Sequence, residues 1–222
     1  MRFGFTLITA LFITVSGFAQ DGVREGDDRP ENIPSGYFLS PENMSVDLRQ
    51  YDVLDADRKV ADRPLEQAVR FYELNKSKIR NQRYITIVDL SQHSGKARMS
   101  LVDMSTGEVR RFTVSHGKGS DADNDGWATK FSNVSGSNMS SIGFYLTGGL
   151  YDGRNGRSMY LHGLEKTNSN AYQRAIVMHG ADYVTPTRAG RSLGCPAIER
   201  RYVPEWLPKL QGGSLLYVYY NQ

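Results

Sequence analysis

The spacing of apolar residues along the chain changes from a helical period to a strand period. Four apolar residues follow the i, i+3, i+4, i+7 spacing of a helix with one buried face: Leu65, Ala68, Val69 and Tyr72. Asp62 stands before them as a potential cap and Pro64 falls in the first turn, so the pattern predicts a helix from Asp62 to Ile79. Spaced apolar residues over 37–60 predict short helical pieces before it.

Beyond Gln82 the apolar positions recur with a period of two, which is typical of strands. Runs 97–104 and 108–115 are joined by a short turn containing Gly107, which is a hairpin signal. Further strands are predicted at 84–90, 144–147, 158–162, 176–179 and 215–220. The predicted fold is therefore mainly β with a few helices, a sandwich or partly closed barrel preceded by a short helical region.

The N-terminus has the pattern of a secretory signal. Arg2 is followed by an uncharged, mostly apolar stretch from Phe3 to Val15, and small residues precede a cut after Ala19. The stretch is too short for a bilayer, which needs about 20 residues. We expect a signal peptide at 1–19, a flexible polar arm at 20–36 and an exported protein, with a buried N-terminal helix as the alternative.

Composition excludes fewer classes of function than the N-terminus does. The chain has 222 residues, 23% of them charged, and a net charge of +3, without the dense basic stripe of a nucleic-acid binder. We expect one domain at 37–222, with a helical lead-in at 37–80 and a β core at 84–220.

The only cysteine is Cys195, and a lone cysteine in an exported protein is either buried and inert or kept for its thiolate.

A histidine and the cysteine in the C-terminal half can supply nucleophilic chemistry. A β-rich run ends at His179, Gly180 allows a turn there, and fifteen residues separate His179 from Cys195. An imidazole that takes the thiol proton turns the cysteine into a nucleophile. Backbone amides of Leu193, Gly194 and Cys195 are candidate donors to an oxyanion. From spacing alone, a buried inert cysteine explains the pattern equally well.

These residues carry a resemblance to a known family. His179-Gly180 followed by Ser192-Leu193-Gly194-Cys195 resembles the active-site signature of the L,D-transpeptidase (YkuD-type) catalytic domain, in its murein L,D-transpeptidase branch. The likeness covers residues 84–220. Other segments that resemble this domain are the strand ending at 88–91, the turn at 105–108, the segment 114–119 and Leu161-His162-Gly163.

The resemblance implies a function. Cys195 would be the nucleophile, His179 the base, and the Gly180 carbonyl the group that orients the imidazole. Such enzymes attack peptidoglycan stem tetrapeptides before the terminal D-alanine. They pass the acyl group to an amine of another stem, to a protein lysine or to water. The implied place is the periplasm or cell wall, the partners are stem peptides, and no cofactor, metal or nucleic acid is expected. A monomer that does not span the membrane after signal cleavage is assumed.

The sequence departs from the family pattern at two positions. Leu193 stands where the family usually has a second histidine, and Ala197 where an arginine is common. Acyl-enzyme chemistry is unaffected by these changes, but recognition of donor and acceptor is left open. His162, Ser192 and Arg191 are the predicted substrate-binding residues.

Several alternatives stay open. His162, His179 and Cys195 could bind zinc, although their spacing lacks a short ligand pair. The segment 121–126 matches half of a calcium loop but has Ser132 where the bidentate glutamate belongs, which favours a solvated acidic turn. An L,D-carboxypeptidase, with water as acceptor, or a non-catalytic cell-wall binding module are the alternative functions.

Overall fold

The computed structural model describes residues 36–37 and 45–221. The predicted signal peptide and almost all of the predicted arm lie outside the described residues. The described part is mostly β with two α-helices, and its strands form one nearly closed eight-stranded sheet with two small two-stranded sheets. Neither helix in this part is long and apolar enough to cross a membrane.

Two helices flank the strands. Helix α1 is Asp62–Asn75 and helix α2 is Val203–Leu210, and short 3-10 helices lie at Arg49–Tyr51, Lys76–Lys78 and Arg200–Tyr202. The strands are β1 (Asn81–Asp89), β2 (Met99–Asp103), β3 (Val109–Phe112), β4 (His116–Gly117), β5 (Gly143–Gly153), β6 (Gly156–Gly163), β7 (Val177–Ala181), β8 (Val184–Thr185), β9 (Arg188–Ala189), β10 (Arg191–Ser192), β11 (Ala197–Glu199) and β12 (Ser214–Tyr219).

The strand order of the large sheet is β11-β7-β6-β5-β12-β1-β2-β3. Neighbouring strands are antiparallel except for two parallel pairs, β1 with β12 and β11 with β7. Strand β10 pairs in parallel with β4, and β8 pairs with β9 as a hairpin. Since β11 and β7 run in the same direction, the chain must loop back between them, and this loop carries β8, β9 and β10.

The two faces of the large sheet bury different helices. On one face the core includes Met159, Met178 and Leu216, and α2 covers it with Trp206 and other apolar residues. On the other face α1 packs over strands β1, β5 and β12. Here the ring of Phe71, which has no exposed surface, stacks at 3.9 Å on that of Phe144.

The structure confirms the predicted fold class and most predicted strands, with shifts at their ends. Helix α1 starts at Asp62 as predicted, but Ala61 is the cap residue, and the helix ends at Asn75 because a 3-10 turn follows. The strand predicted at 144–147 is the first part of the longer β5, whose glycines weaken the alternating pattern. Helix α2 was not predicted, because it is only eight residues long and Pro208 lies inside it, where proline normally interrupts a helix.

The contact of α1 with the sheet gives a testable prediction. Phe71→Ala removes a fully buried ring, and the cavity it leaves should lower the free energy of unfolding by about 3–5 kcal/mol. Val134→Ala is the control, because Val134 is 67% exposed and its truncation should change stability by less than about 0.5 kcal/mol. Urea unfolding of both variants measures the difference, and equal stabilities would contradict the packing of α1 described above.

Candidate active site

The parallel pairing of β11 with β7 brings the thiol of Cys195 to the strand that carries the histidine. Ala197 lies opposite His179 in this ladder, so Cys195, two residues earlier, comes level with Val177. The backbone N–H of Val177 donates to the Cys195 Sγ at 3.5 Å, and the Sγ is 3.6 Å from the carbonyl oxygen of Ala175. The cysteine is only partly buried. The thiol is thus held against the start of β7 with part of its residue open to solvent.

The imidazole of His179 is oriented by the backbone. Its ring is buried, and Nδ1 lies 3.1 Å from the carbonyl oxygen of Gly180. Because a carbonyl oxygen only accepts hydrogen bonds, Nδ1 carries the proton in the neutral ring and Nε2 holds the lone pair. Its cross-strand neighbours are Ser158 and Ala197. The ring is therefore in the tautomer that a base acting through Nε2 requires.

The loop before the cysteine is braced by Ser192. Its hydroxyl lies 2.7 Å from the Cys195 carbonyl oxygen and 3.2 Å from that of His116, and it accepts the Gly194 N–H at 3.0 Å. Gly194 has φ of +128°, and a Cβ there would come within 2.8 Å of the Met139 carbonyl oxygen. Only glycine fits this close approach.

This bracing concerns two of the residues with predicted roles. Ser192 is buried and its hydroxyl bonds the protein itself, and its contact with substrate stays a prediction. The Gly194 N–H points at Ser192 and not at an oxyanion. Leu193, by contrast, is 53% exposed. Its side chain therefore stands at the surface of the loop that carries the thiol.

Two residues near the thiol were not found from the sequence. Ser115 donates to the Cys195 carbonyl oxygen at 3.1 Å and accepts the Ala197 N–H at 3.0 Å, so it fixes the cysteine from the other side. Burial raises the pKa of Tyr183, the nearby charge of Cys195 raises it further, and a hydrogen bond to Ser115 opposes both. Tyr183 belongs to no motif, and Ser115 lies in the segment 114–119 without a predicted role, so only the fold shows that both residues lie near the cysteine.

A buried polar chain lies behind the loop. Arg98, which is 1% exposed, donates to Nδ1 of His116 at 2.8 Å, so Nε2–H of that histidine donates to Asp121 at 3.1 Å. Burial, followed by the charge of Arg98, lowers the pKa of His116 to about 4. The prediction of a solvated acidic turn is wrong for Asp121, which is buried, while Asp123 and Asp125 are exposed.

His162 is buried beside the site. It is 3% exposed, its ring stacks on Tyr172 at 5.3 Å, and its Nε2 has no hydrogen-bond partner. Burial lowers its pKa to about 4. Side chains two residues apart in a strand share a face, so His162 lies on the same face of β6 as Ser158. Ser158 pairs with His179, which places His162 and His179 on the same face of the sheet. The contact of His162 with substrate stays a prediction.

The remaining predictions concern Arg191 and zinc. Arg191 is partly exposed, and its guanidinium donates to the carbonyl oxygen of Asp121. Its role in substrate binding stays a prediction. In residues 45–221 the ligand atoms of His162, His179 and Cys195 do not come within 4.8 Å of one another, as those of the three aspartates do. The geometry thus disfavours the zinc alternative.

A thiol just before β11 and a backbone-oriented imidazole on the parallel neighbour β7 form a candidate site for cysteine acyl transfer. A family model, the L,D-transpeptidase catalytic domain (YkuD_2), matches residues 56–219. The chain belongs to this family. A comparison with curated proteins finds no match.

Solved structures of L,D-transpeptidases are distantly similar. One in complex with imipenem has 14% identity and a TM-score of 0.38 over 62% of this chain and 59% of its own. The Mycobacterium smegmatis enzyme has 12% identity and a TM-score of 0.37, and the match covers 62% of this chain and 58% of that enzyme. The Xylanimonas cellulosilytica enzyme (residues 123–326) has 16% identity and a TM-score of 0.37, and the match covers 70% of each chain. The chain spans less than two thirds of the first two, and TM-scores this low carry no functional argument.

Burial of His162 predicts how stability depends on pH. An unfolded histidine titrates near pH 6.5, so between that value and the folded pKa of about 4 the unfolded chain binds the proton more readily. The contribution of His162 to the free energy of unfolding is therefore fully present above pH 6.5. It is lost as the pH falls towards 4, and the total loss is about 3 kcal/mol. Urea unfolding at pH 7 and pH 4 should show a smaller loss in His162→Gln than in the wild type. An equal loss in both proteins would contradict the buried neutral histidine.

Proposed function

We propose that this protein is an exported L,D-transpeptidase that acts on peptidoglycan stem tetrapeptides through a thioester on Cys195. The observation that carries the proposal is the pairing of β11 with β7, which sets the thiol against the strand of His179 while the Gly180 carbonyl fixes the imidazole. Membership of the family supports the class of enzyme. The predicted signal peptide places the enzyme in the compartment where that substrate lies.

In the first half-reaction Cys195 is acylated. Nε2 of His179 takes the thiol proton, and Sγ attacks the carbonyl carbon of the third stem residue. The carbon–nitrogen bond to the terminal D-alanine then breaks, and the proton on Nε2 passes to the departing amine. Because the Gly194 N–H is held by Ser192, we assign the oxyanion to the amides of Leu193 and Cys195.

The second half-reaction releases the acyl group. An amine of another stem attacks the thioester carbon, His179 takes a proton from this amine, and the carbon–sulfur bond breaks. The thiolate regains a proton, so the enzyme returns to its starting state. Arg191, whose guanidinium lies on the same loop as the thiol, is the proposed contact for a substrate carboxylate. A lysine of a protein or water can replace the stem amine at the same step.

Intact mass of the wild-type protein incubated with tetrapeptide muropeptides tests the first half-reaction. The protein should gain the mass of the tripeptide acyl group as D-alanine is released, because the thioester stores the acyl group. In Cys195→Ala the adduct should be absent and turnover should fall by at least about 1000-fold. Turnover that persists in this variant would contradict the assignment of the nucleophile.

The role of His179 has a separate test. His179→Gln keeps a polar side chain but removes the base, so D-alanine release at neutral pH should fall by about 100-fold or more. Wild-type rates in this variant would place the base elsewhere. Separation of the products identifies the acceptor: cross-linked stems indicate a transpeptidase, and tripeptides alone an L,D-carboxypeptidase. A folded wild-type protein that binds muropeptides but forms no adduct would be a binding module.

A further inference from the structure

Arg174 is a buried cation in the turn that leads into β7. It is 4% exposed. One nitrogen of its guanidinium donates to the Ser132 carbonyl oxygen at 2.7 Å and the other to the Met139 carbonyl oxygen at 2.6 Å. The hydroxyls of Ser137 and Ser141 accept from it at 3.3 Å. In residues 45–221 all of these partners are neutral.

A buried guanidinium normally has a carboxylate beside it, because desolvation of an unpaired charge is costly. Among the described residues Arg98 is also deeply buried, and although its hydrogen-bond partners are neutral too, two carboxylates act on its charge. Burial lowers the pKa of Arg98 to about 10, and the carboxylates of Asp89 and Asp121 act against that change. Burial also lowers the pKa of Arg174, but the groups that act against it are Tyr145 and Cys195. The groups whose charge favours the guanidinium of Arg174 are thus a tyrosine and Cys195, whereas for Arg98 they are two carboxylates.

The position of Arg174 explains its interaction with the cysteine. A Cβ on Gly194, the residue before the nucleophile, would lie 3.4 Å from the guanidinium nitrogen that bonds Met139. The next residue after the arginine, Ala175, supplies the carbonyl oxygen 3.6 Å from the Cys195 Sγ. The guanidinium is therefore directly behind the loop that carries the thiol.

We propose that Arg174 is a positioning residue whose buried charge stabilises the thiolate of Cys195, a role that rests on the proposed function of this cysteine. It acts through the nucleophile and does not touch the substrate. Among the described residues that can carry charge, Tyr183 interacts electrostatically with Cys195, and His179 lies on the strand that pairs with β11. The imidazolium formed on proton transfer and the guanidinium both favour the thiolate, whereas a phenolate at Tyr183 would oppose it.

The test measures the rate of alkylation of the single cysteine by iodoacetamide between pH 5 and pH 10, because only the thiolate reacts. This reaction needs no peptidoglycan, so it separates failure of the inference from failure of the proposed function. In folded Arg174→Met the midpoint of the pH profile should rise by about one unit or more. Arg174→Lys, which keeps the charge, should restore most of the wild-type midpoint.

A second pair of variants keeps the arginine in place. Ser137 is only half-buried and its hydroxyl already accepts from the guanidinium. Ser137→Asp gives Arg174 a carboxylate, which should compete with the thiolate and raise the midpoint, while Ser137→Asn is the control of equal shape. If Arg174→Met does not fold, this pair decides alone. An unchanged midpoint in folded Arg174→Met, or in Ser137→Asp relative to Ser137→Asn, would reduce Arg174 to a structural residue and overturn the inference.

Discussion

The parallel pairing of β11 with β7 is the interaction on which the site depends. It sets Ala197 opposite His179, and this register places the Cys195 Sγ at the Val177 N–H. Parallel neighbours need a crossover connection, and here the loop between them returns with the Ser192 brace and the tight turn at Gly194. A shift of one residue in this register would turn the cysteine to the other face of the sheet.

Buried polar groups hold the loop in this position from behind. Ser115 and Ser192 both bond the Cys195 carbonyl oxygen, and Ser192 also reaches the His116 carbonyl oxygen. His116 is fixed in turn by Arg98 and Asp121. Hydrogen bonds between buried groups restrict the positions of the residues that make them, because an unmade bond leaves a buried polar atom without a partner. Cys195 is therefore positioned by neutral donors and acceptors, while the charge of Arg174 lies one layer further back.

The prediction from sequence succeeded where a local pattern is enough. The helical spacing around Ala68 gave α1, and alternation of apolar residues gave β1, β2 and β12. It failed where a pattern is short or interrupted by proline, as in α2 and in the two-residue strands. The predicted exposure of Asp121 was wrong: Asp121 is buried, its carboxylate bonds His116 nearby in the chain, and its carbonyl oxygen accepts from Arg191 on a distant segment.

By itself the sequence determined the class of the protein and its candidate nucleophile and base. His179-Gly180 and the segment ending at Cys195 are contiguous motifs, and their resemblance to the L,D-transpeptidase catalytic domain indicated the class, because spacing alone left a buried inert cysteine equally possible. Only the tertiary structure decided that Ser192 braces the loop, that His162 is buried, and that Arg174 lies behind the thiol. The physical reason is that burial, desolvation and hydrogen-bond partners are set by segments far apart in the chain, and the folded sheet alone brings them together.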